Sequence, residues 1–465
     1  MNRVLVLNVV GLTLDLLDRD APHLTALARQ GGVRPLTTVT PAVTCSVQAT
    51  FTTGLLPREH GIVANGWYFR DLAEVLLWRQ SNLLVEGEKI WDNARKLDPR
   101  FTCAKLFWWY NMHSSADYTV TPRPIYLADG RKLPDIYTQP WRLREELNQR
   151  LGEFPLFRFW GPGADIVSSQ WIKDCARYVY DQHKPTLTLV YLPHLDYNLQ
   201  RLGPNHPAIR DEVRRIDALC GELIEHVQKD GTQVIVLSEY GITEVSGPVH
   251  INRVLREAGL LAVREELSLE LLNAGASDAF AVADHQIAHV YVKSHDRIPE
   301  VRRLLEAVPG IELVLDGEGK RHYGLDHPRS GELVVLSRAD RWFTYYYWGD
   351  DERAPDFART VDIHRKPGYD PAELFIDPTL RLPKFRIARR LLQKKLGFRM
   401  LMDVIGLDAT LPKGSHGRVT DKVEEGPLFM TSDAGCLPHA AVAATDVKTL
   451  ILRHVFGDQV PGINR

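Results

Sequence analysis

Seven polar residues sit where strand-like runs end or where a helix starts, and their types suit phosphoryl chemistry. Thr44 stands in "TPAVTCSVQATFTTGLLPREHGIVANGWYF" (residues 40–69). Asp196 and Gln200 follow the run "TLTLVYL", Glu239 and Tyr240 follow "QVIVLS", Asn8 lies near the end of "VLVLNVV", and His416 lies in the glycine-flanked "KGSHG". A hydroxyl attacks phosphorus only when a base, a metal or a helix N-terminus activates it. If "VQATFTTGLLP" is helical, Thr44 lies at its N-terminus, where backbone N–H groups and the helix dipole favour an anion such as a phosphoryl group. Capping alone also accounts for a hydroxyl there. Asp196, Glu239 and His416 combine oxygen with imidazole, a donor mix that hard to borderline divalent ions accept. Taken singly, each is also explained as a cap or a turn residue.

The elements that must hold these groups alternate in type. "VLVLNVV" is a continuous β-branched run ending at Gly11, followed by an amphipathic stretch with Leu24, Leu27 and Ala28 on one face. Residues 186–192 and 233–238 repeat the buried-strand pattern around the helical "IRDEVRRIDALCGELIEHVQK". The expected fold class is α/β, a mostly parallel sheet sandwiched by helices. In such sheets ligands bind beyond the carboxyl ends of the strands, which is where the polar residues fall.

At 465 residues the chain exceeds what one hydrophobic core serves, so inserted units are expected. An aromatic stretch without clear periodicity, Leu106 to Trp141, reads as part of an insertion over the sheet rim, and "HVYVKSHDRIPEVRRLLEAVPGIELVLD" reads as a strand, helix, strand unit in a second insertion. Net charge −2 with 44% hydrophobic and 25% charged residues describes an ordinary globular chain with no bias toward nucleic acid. Five scattered cysteines without a C-x-x-C pair argue for a reducing compartment, and the short apolar start reads as a core strand, so a cytoplasmic location is expected. The segment 381–399 carries eight Lys/Arg and no acid. Its expected arrangement is a helix packed on the core with a solvated basic face, with peripheral contact to an anionic membrane as the second reading.

The segment 40–69 resembles the nucleophile region of the alkaline phosphatase superfamily, and most closely its nucleotide pyrophosphatase/phosphodiesterase branch. The family pattern of a threonine nucleophile, a short helix, Thr-Gly-x-x-Pro and His-Gly-Ile is met by Thr44, Thr53-Gly54, Pro57 and His60-Gly61-Ile62. "DYNLQRLGP", "SEYG" and "KGSHG" follow in the family's order. The resemblance implies a core of residues 1–70, 170–250 and 405–465, an aromatic-rich insertion over 71–169, and a cap over 251–404. It implies Thr44 as nucleophile through a phospho-threonine, metal ligands at Asp196, Gln200, Glu239 and His416, and a small phosphorylated substrate.

This chain departs from the pattern at three places. Asn8 stands for an aspartate, Gln200 for a histidine, and Glu239-Tyr240 for Asp-His. Members of the superfamily bind two divalent ions, usually zinc. With fewer carboxylates and imidazoles, one or two ions are expected here, and oxygen donors shift the preference from Zn toward Mn, Mg or Ca. Asn8 is expected to donate to a non-bridging oxygen, and Tyr240 to transfer a proton or to hydrogen-bond the phosphoryl group. His194, His327 and His364 are candidates for replacement ligands. The combination of Asn8, Gln200 and Tyr240 with "NGWYFRD" and "FWWYNMHSSADY" also resembles the alkaline-phosphatase-like branch encoded in the ebo gene cluster, which implies small-metabolite or lipid-linked phosphate chemistry. The reading from another class is a non-catalytic phosphate-binding protein with a degenerate metal site.

Overall fold

Val4–Val9 and Leu187–Leu192 are buried along their whole length, as strands covered on both faces must be. They pair in parallel at the centre of a nine-stranded sheet. In the computed structural model, which describes residues 1–129 and 131–460 apart from the side chains of Asp18, Arg19 and Asp458, the strand order begins with Val442–Ala443, Val33–Thr37, Leu428–Thr431 and Gln233–Leu237. It continues through Val4–Val9, Leu187–Leu192, Cys103–Leu106, Tyr118–Pro122 and Ile136–Gln139. The five strands from Gln233–Leu237 to Tyr118–Pro122 run parallel, and the pairings of Leu428–Thr431 and Ile136–Gln139 with their neighbours are antiparallel. Helices Pro22–Gly31, Ile166–His183 and Ile209–Gln228 pack together as one layer, and Thr44–Thr53, Ile90–Leu97 and Val447–Phe456 as another. The α/β class expected from the alternating pattern is the one observed.

The segment 71–169 is more than an insertion, because three of its stretches are strands of the central sheet. Their short length and the intervening turn residues hid them from a periodicity reading. Within 251–404, Ala279–Asp284, Ile287–Val292, Leu333–Ser337 and Ile311–Leu315 form a separate four-stranded sheet in that order. The expected strand, helix, strand unit is present, with Ile298–Glu306 as its helix, but Leu333–Ser337 lies between its two strands and runs antiparallel to both. Residues 461–465 of the expected core segment, and Gly130 of the expected insertion, lie outside the described residues. Among the described residues no helix is long and apolar enough to cross a membrane.

Candidate active site

Register places the site. Asn8 pairs with Tyr191 on one side and Leu237 on the other, so the ends of three neighbouring strands open onto one rim. The second strand leads into the His194–Leu202 helix, where Asp196 and Gln200 are one turn apart on one face. The third leads through Ser238 into Glu239, Tyr240 and Gly241. A Cβ at Gly241 would stand 1.7 Å from the Glu425 carbonyl oxygen, and one at Gly414 would stand 2.2 Å from that of Leu199. The first approach packs the tyrosine turn against the Val423–Glu425 segment and the second packs the His416 strand onto the Asp196 helix, and only glycine permits them.

Thr44 opens the Thr44–Thr53 helix, with Val43 as the uncharged residue before it. Its Oγ1 lies 3.1 Å from the Tyr240 hydroxyl. That hydroxyl donates to Asp196 Oδ1 at 3.3 Å, and the Gln200 amide donates to Asp196 Oδ2 at 2.8 Å. Gln200 in turn accepts from the Tyr369 hydroxyl at 2.8 Å. A second group forms around Glu239, whose Oε1 accepts from Asn8 at 2.5 Å and from Gln48 at 2.6 Å. Gln48, one turn after Thr44, also accepts from the Trp109 backbone N–H at 2.7 Å. His416 donates through Nδ1 to the Ala42 carbonyl at 2.8 Å, and its Nε2 faces Asp196 Oδ1 at 3.9 Å.

All seven residues are buried, and Thr44 is 4% exposed. Burial dominates the electrostatics. It raises the Asp196 carboxyl to about 7 against the hydrogen bonds from Gln200 and Tyr240. It raises Glu239 to about 8 against those from Gln48 and Asn8, with Asp196 adding like-charge repulsion. Desolvation and the two nearby carboxylates hold the Tyr240 phenol well above its usual range, so it is a proton-bearing hydroxyl at neutral pH. Burial keeps the His416 imidazole well below its usual value and therefore neutral.

The segment 251–404 contributes residues that sequence reasoning missed. The turn after Ala279–Asp284 places His285 between His416 and Tyr369, with ring centroids 3.7 and 3.5 Å away. Asp284 fixes His285 Nδ1 at 2.7 Å and accepts from Asn65 at 3.0 Å. Half-buried Trp78 and Trp160 flank Tyr369, and Trp78 also meets Trp109 at 4.8 Å. Within the aromatic stretch that begins at Leu106, Trp108 and Tyr110 are core, while Trp109 is half-buried at the rim. The spacing of Gln48 from Thr44 was a readable signal; the cap residues had none. His194 pairs with Glu212, His327 with Glu86, and His364 with the Leu77 carbonyl, so none of them replaces a ligand.

The expected metal ligands divide unequally. Among the described residues no three His, Cys, Asp or Glu side chains gather where they could hold an ion. Both oxygens of Asp196 already accept hydrogen bonds, and the Gln200 amide is engaged at both ends, so this half of a two-ion centre is filled by protein. Glu239 Oε2 and Asn8 Oδ1 are buried acceptors without a partner. Two unpaired oxygens beside the Thr44 helix suit one hard, oxygen-ligated ion and do not suit a zinc pair. Asn8 directs its amide N–H at Glu239, not outward to a substrate oxygen.

Residues 4–370 match the family model described as type I phosphodiesterase / nucleotide pyrophosphatase. An uncharacterised pyrophosphatase/phosphodiesterase of Schizosaccharomyces pombe is 27% identical over 255 residues, which is 52% of this chain and 45% of that protein. The GPI ethanolamine phosphate transferase 3 of the same yeast is 32% identical over 99 residues, 21% of this chain and 10% of that one. The chain thus spans less than half the length of these curated relatives. Among solved structures, murine ectonucleotide pyrophosphatase/phosphodiesterase 5, as an inactive threonine-to-alanine variant in complex with AMP, aligns with TM-score 0.58 at 15% identity, covering 100% of this chain and 96% of that one. Phosphonoacetate hydrolase from Sinorhizobium meliloti, with phosphonoformate, aligns with TM-score 0.60 at 14% identity, covering 98% and 95%. The fold is therefore that of these phosphoester- and phosphonate-handling enzymes.

Proposed function

Because this chain belongs to the type I phosphodiesterase / nucleotide pyrophosphatase family, we propose that it hydrolyses, or transfers, the phosphoryl group of a phosphodiester or pyrophosphate in a small metabolite, with Thr44 as nucleophile. The observation that carries this reading is the contact of Thr44 Oγ1 with the Tyr240 hydroxyl, itself donating to Asp196. AMP in the murine neighbour and phosphonoformate in the bacterial one support a small phosphorylated ligand, and the inactivity of the murine threonine-to-alanine variant supports a threonine nucleophile.

In the proposed first step Thr44 Oγ1 bonds to phosphorus while the bond to the leaving oxygen breaks. The threonine proton passes to the Tyr240 oxygen as Tyr240 gives its own to Asp196 Oδ1, so the phenol is regenerated and Asp196 ends protonated. A carboxyl raised to about 7 is matched to this duty at neutral pH. The leaving oxygen takes its proton from solvent; water then attacks the phospho-threonine as the Thr44 oxygen takes back the Asp196 proton through Tyr240, so the phosphate ester is released, the protons of the water pass to solvent, and Thr44 and ionised Asp196 are restored. One divalent ion, held by Glu239 and Asn8 and drawn from Mg, Mn or Ca in preference to Zn, supplies Lewis-acid stabilisation of phosphoryl charge when bound. Gln48 orients Glu239 from the same helix as the nucleophile. Trp78, Trp109 and Trp160 offer the half-buried faces on which a base or ring of the substrate stacks.

Two further assignments belong to the same reading. Residues 251–404 act as a cap that closes the site through His285 and Tyr369. The chain is a cytoplasmic member of the ebo-cluster branch, supported by the Asn8, Gln200 and Tyr240 departures and by four cysteines buried as thiols. A screen of bis(para-nitrophenyl) phosphate, nucleotide pyrophosphates and para-nitrophenyl phosphate with the wild type and Thr44→Ala tests the function. Turnover lost in the variant supports it, and turnover retained removes Thr44 as nucleophile.

A non-catalytic phosphate-binding protein is the second reading. It is favoured by one observation: protein hydrogen bonds occupy every polar atom of Asp196 and Gln200 where the superfamily holds an ion. Absence of turnover together with calorimetric binding of AMP would support it.

A further inference from the structure

An amphipathic surface helix ordinarily turns its apolar stripe to the core. The helix Pro383–Lys395 keeps only part of that arrangement: Ile387 packs on the protein and Lys384, Arg389 and Lys395 are solvated as expected, but most of its apolar side chains face outward with them. Its half-buried side carries Arg386, Ile387, Arg390, Gln393 and Lys394. Arg386 and Arg390 both pair with Asp403, and Lys394 donates to the Lys132 carbonyl at 3.3 Å. These inner basic residues thus hold the helix to the protein, two of them on the single carboxylate of Asp403.

The outer side is apolar and basic together. Phe385, Leu392 and Leu396 are 67%, 56% and 64% exposed, and their spacing of seven and four residues puts them in one stripe. Lys384, Arg389 and Lys395 are exposed beside them. No acidic residue occurs between Asp377 and Asp403. This charge pattern selects the occupant. A second copy docked through the same face would bring like charges together, whereas an anionic lipid surface accepts the apolar stripe between its headgroups and the flanking cations at their phosphates.

We infer that this helix lies in the plane of an anionic membrane surface, inserting Phe385, Leu392 and Leu396 while Lys384, Arg389 and Lys395 engage the headgroups. Each basic side chain near such a surface strengthens binding about fivefold. The inference is independent of the reaction at Thr44.

The test uses the full chain in sedimentation with vesicles of phosphatidylcholine alone and of phosphatidylcholine mixed with phosphatidylglycerol. Binding is expected only to the second kind, weakened roughly tenfold or more by high salt and by Arg389→Glu with Lys395→Glu. Leu392→Asp with Leu396→Asp is expected to abolish it, with the thermal unfolding of the wild type retained. Leu267→Asp, at a site 97% exposed elsewhere, is expected to bind as the wild type does. Equal binding to both vesicles, or binding indifferent to the two double variants, would overturn the inference. So would an oligomer in solution that Leu392→Asp with Leu396→Asp dissociates, since the stripe would then be a protein interface.

Discussion

The Tyr240 ring lies flat on the His416 imidazole, with centroids 3.6 Å apart and planes 7° from parallel. Where the superfamily has an imidazole, this chain has a phenol held in place by stacking, and its hydroxyl reaches both Thr44 and Asp196. The stack links two segments far apart in sequence, one after a central strand and one near the C-terminus. It places a chain of hydrogen bonds from Thr44 through Tyr240 to Asp196, the path along which the proposed reaction moves its proton.

Removing only that hydroxyl isolates the path. Tyr240→Phe keeps the stack on His416 and is expected to lower kcat by about 10²- to 10⁴-fold, the range for loss of a positioned acid or base, with KM little changed. Steady-state kinetics on bis(para-nitrophenyl) phosphate would check it. A KM rise at unchanged kcat would mean that Tyr240 binds substrate without moving a proton.

Asp196 must be ionised to receive a proton. Since burial raises its carboxyl to about 7, kcat/KM is expected to climb through pH 7 and then level off. Asp196→Asn is expected to remove both the climb and most of the activity. A profile flat from pH 5 to 9 would exclude Asp196 as the acceptor.

The same burial works against stability. Asp196 and Glu239 rise from 3.8 and 4.5 to about 7 and about 8 in the folded protein. Between these values the unfolded chain releases protons that the folded chain keeps, so stability falls as pH rises from about 4 to about 8 and the penalty is full above that. Glu239→Gln, which carries no charge to desolvate, is therefore expected to unfold a few degrees higher than the wild type at pH 8.5 in a chelator, and alike at pH 4. Thermal scans at the two pH values would show it.

The unpaired oxygens of Glu239 and Asn8 predict which ion is taken. Mg, Mn or Ca is expected to raise the melting temperature of the wild type with a stoichiometry of one, and zinc to do so less. Asn8→Asp exchanges a donor to Glu239 for a second carboxylate. Without metal it is expected to destabilise the fold, and Mn is expected to rescue it by a larger shift than in the wild type. Thermal shift with elemental analysis decides both.

The central sheet was legible because its strands are continuous apolar runs with polar residues past their ends, and Asn8, Asp196, Glu239 and Tyr240 were found by that position. Thr44 was legible from its motif. What the sequence concealed depends on tertiary contact. The strands at 103–106, 118–122 and 136–139 are too short for periodicity to reveal. His285 and Tyr369 reach the site from a cap more than a hundred residues after Thr44, with no local pattern to mark them. The outward stripe at 383–395 shows the same limit: periodicity identifies an amphipathic helix but does not say which face meets the protein.

The most direct test of Thr44 as nucleophile is covalent trapping. Wild-type protein mixed with bis(para-nitrophenyl) phosphate and quenched in acid within the first turnovers would be digested and its peptides weighed. The result expected is a para-nitrophenyl phosphate ester on Thr44, absent from Thr44→Ala and accumulating more slowly in Tyr240→Phe. Turnover without any adduct on Thr44, or an adduct on another residue, would contradict it.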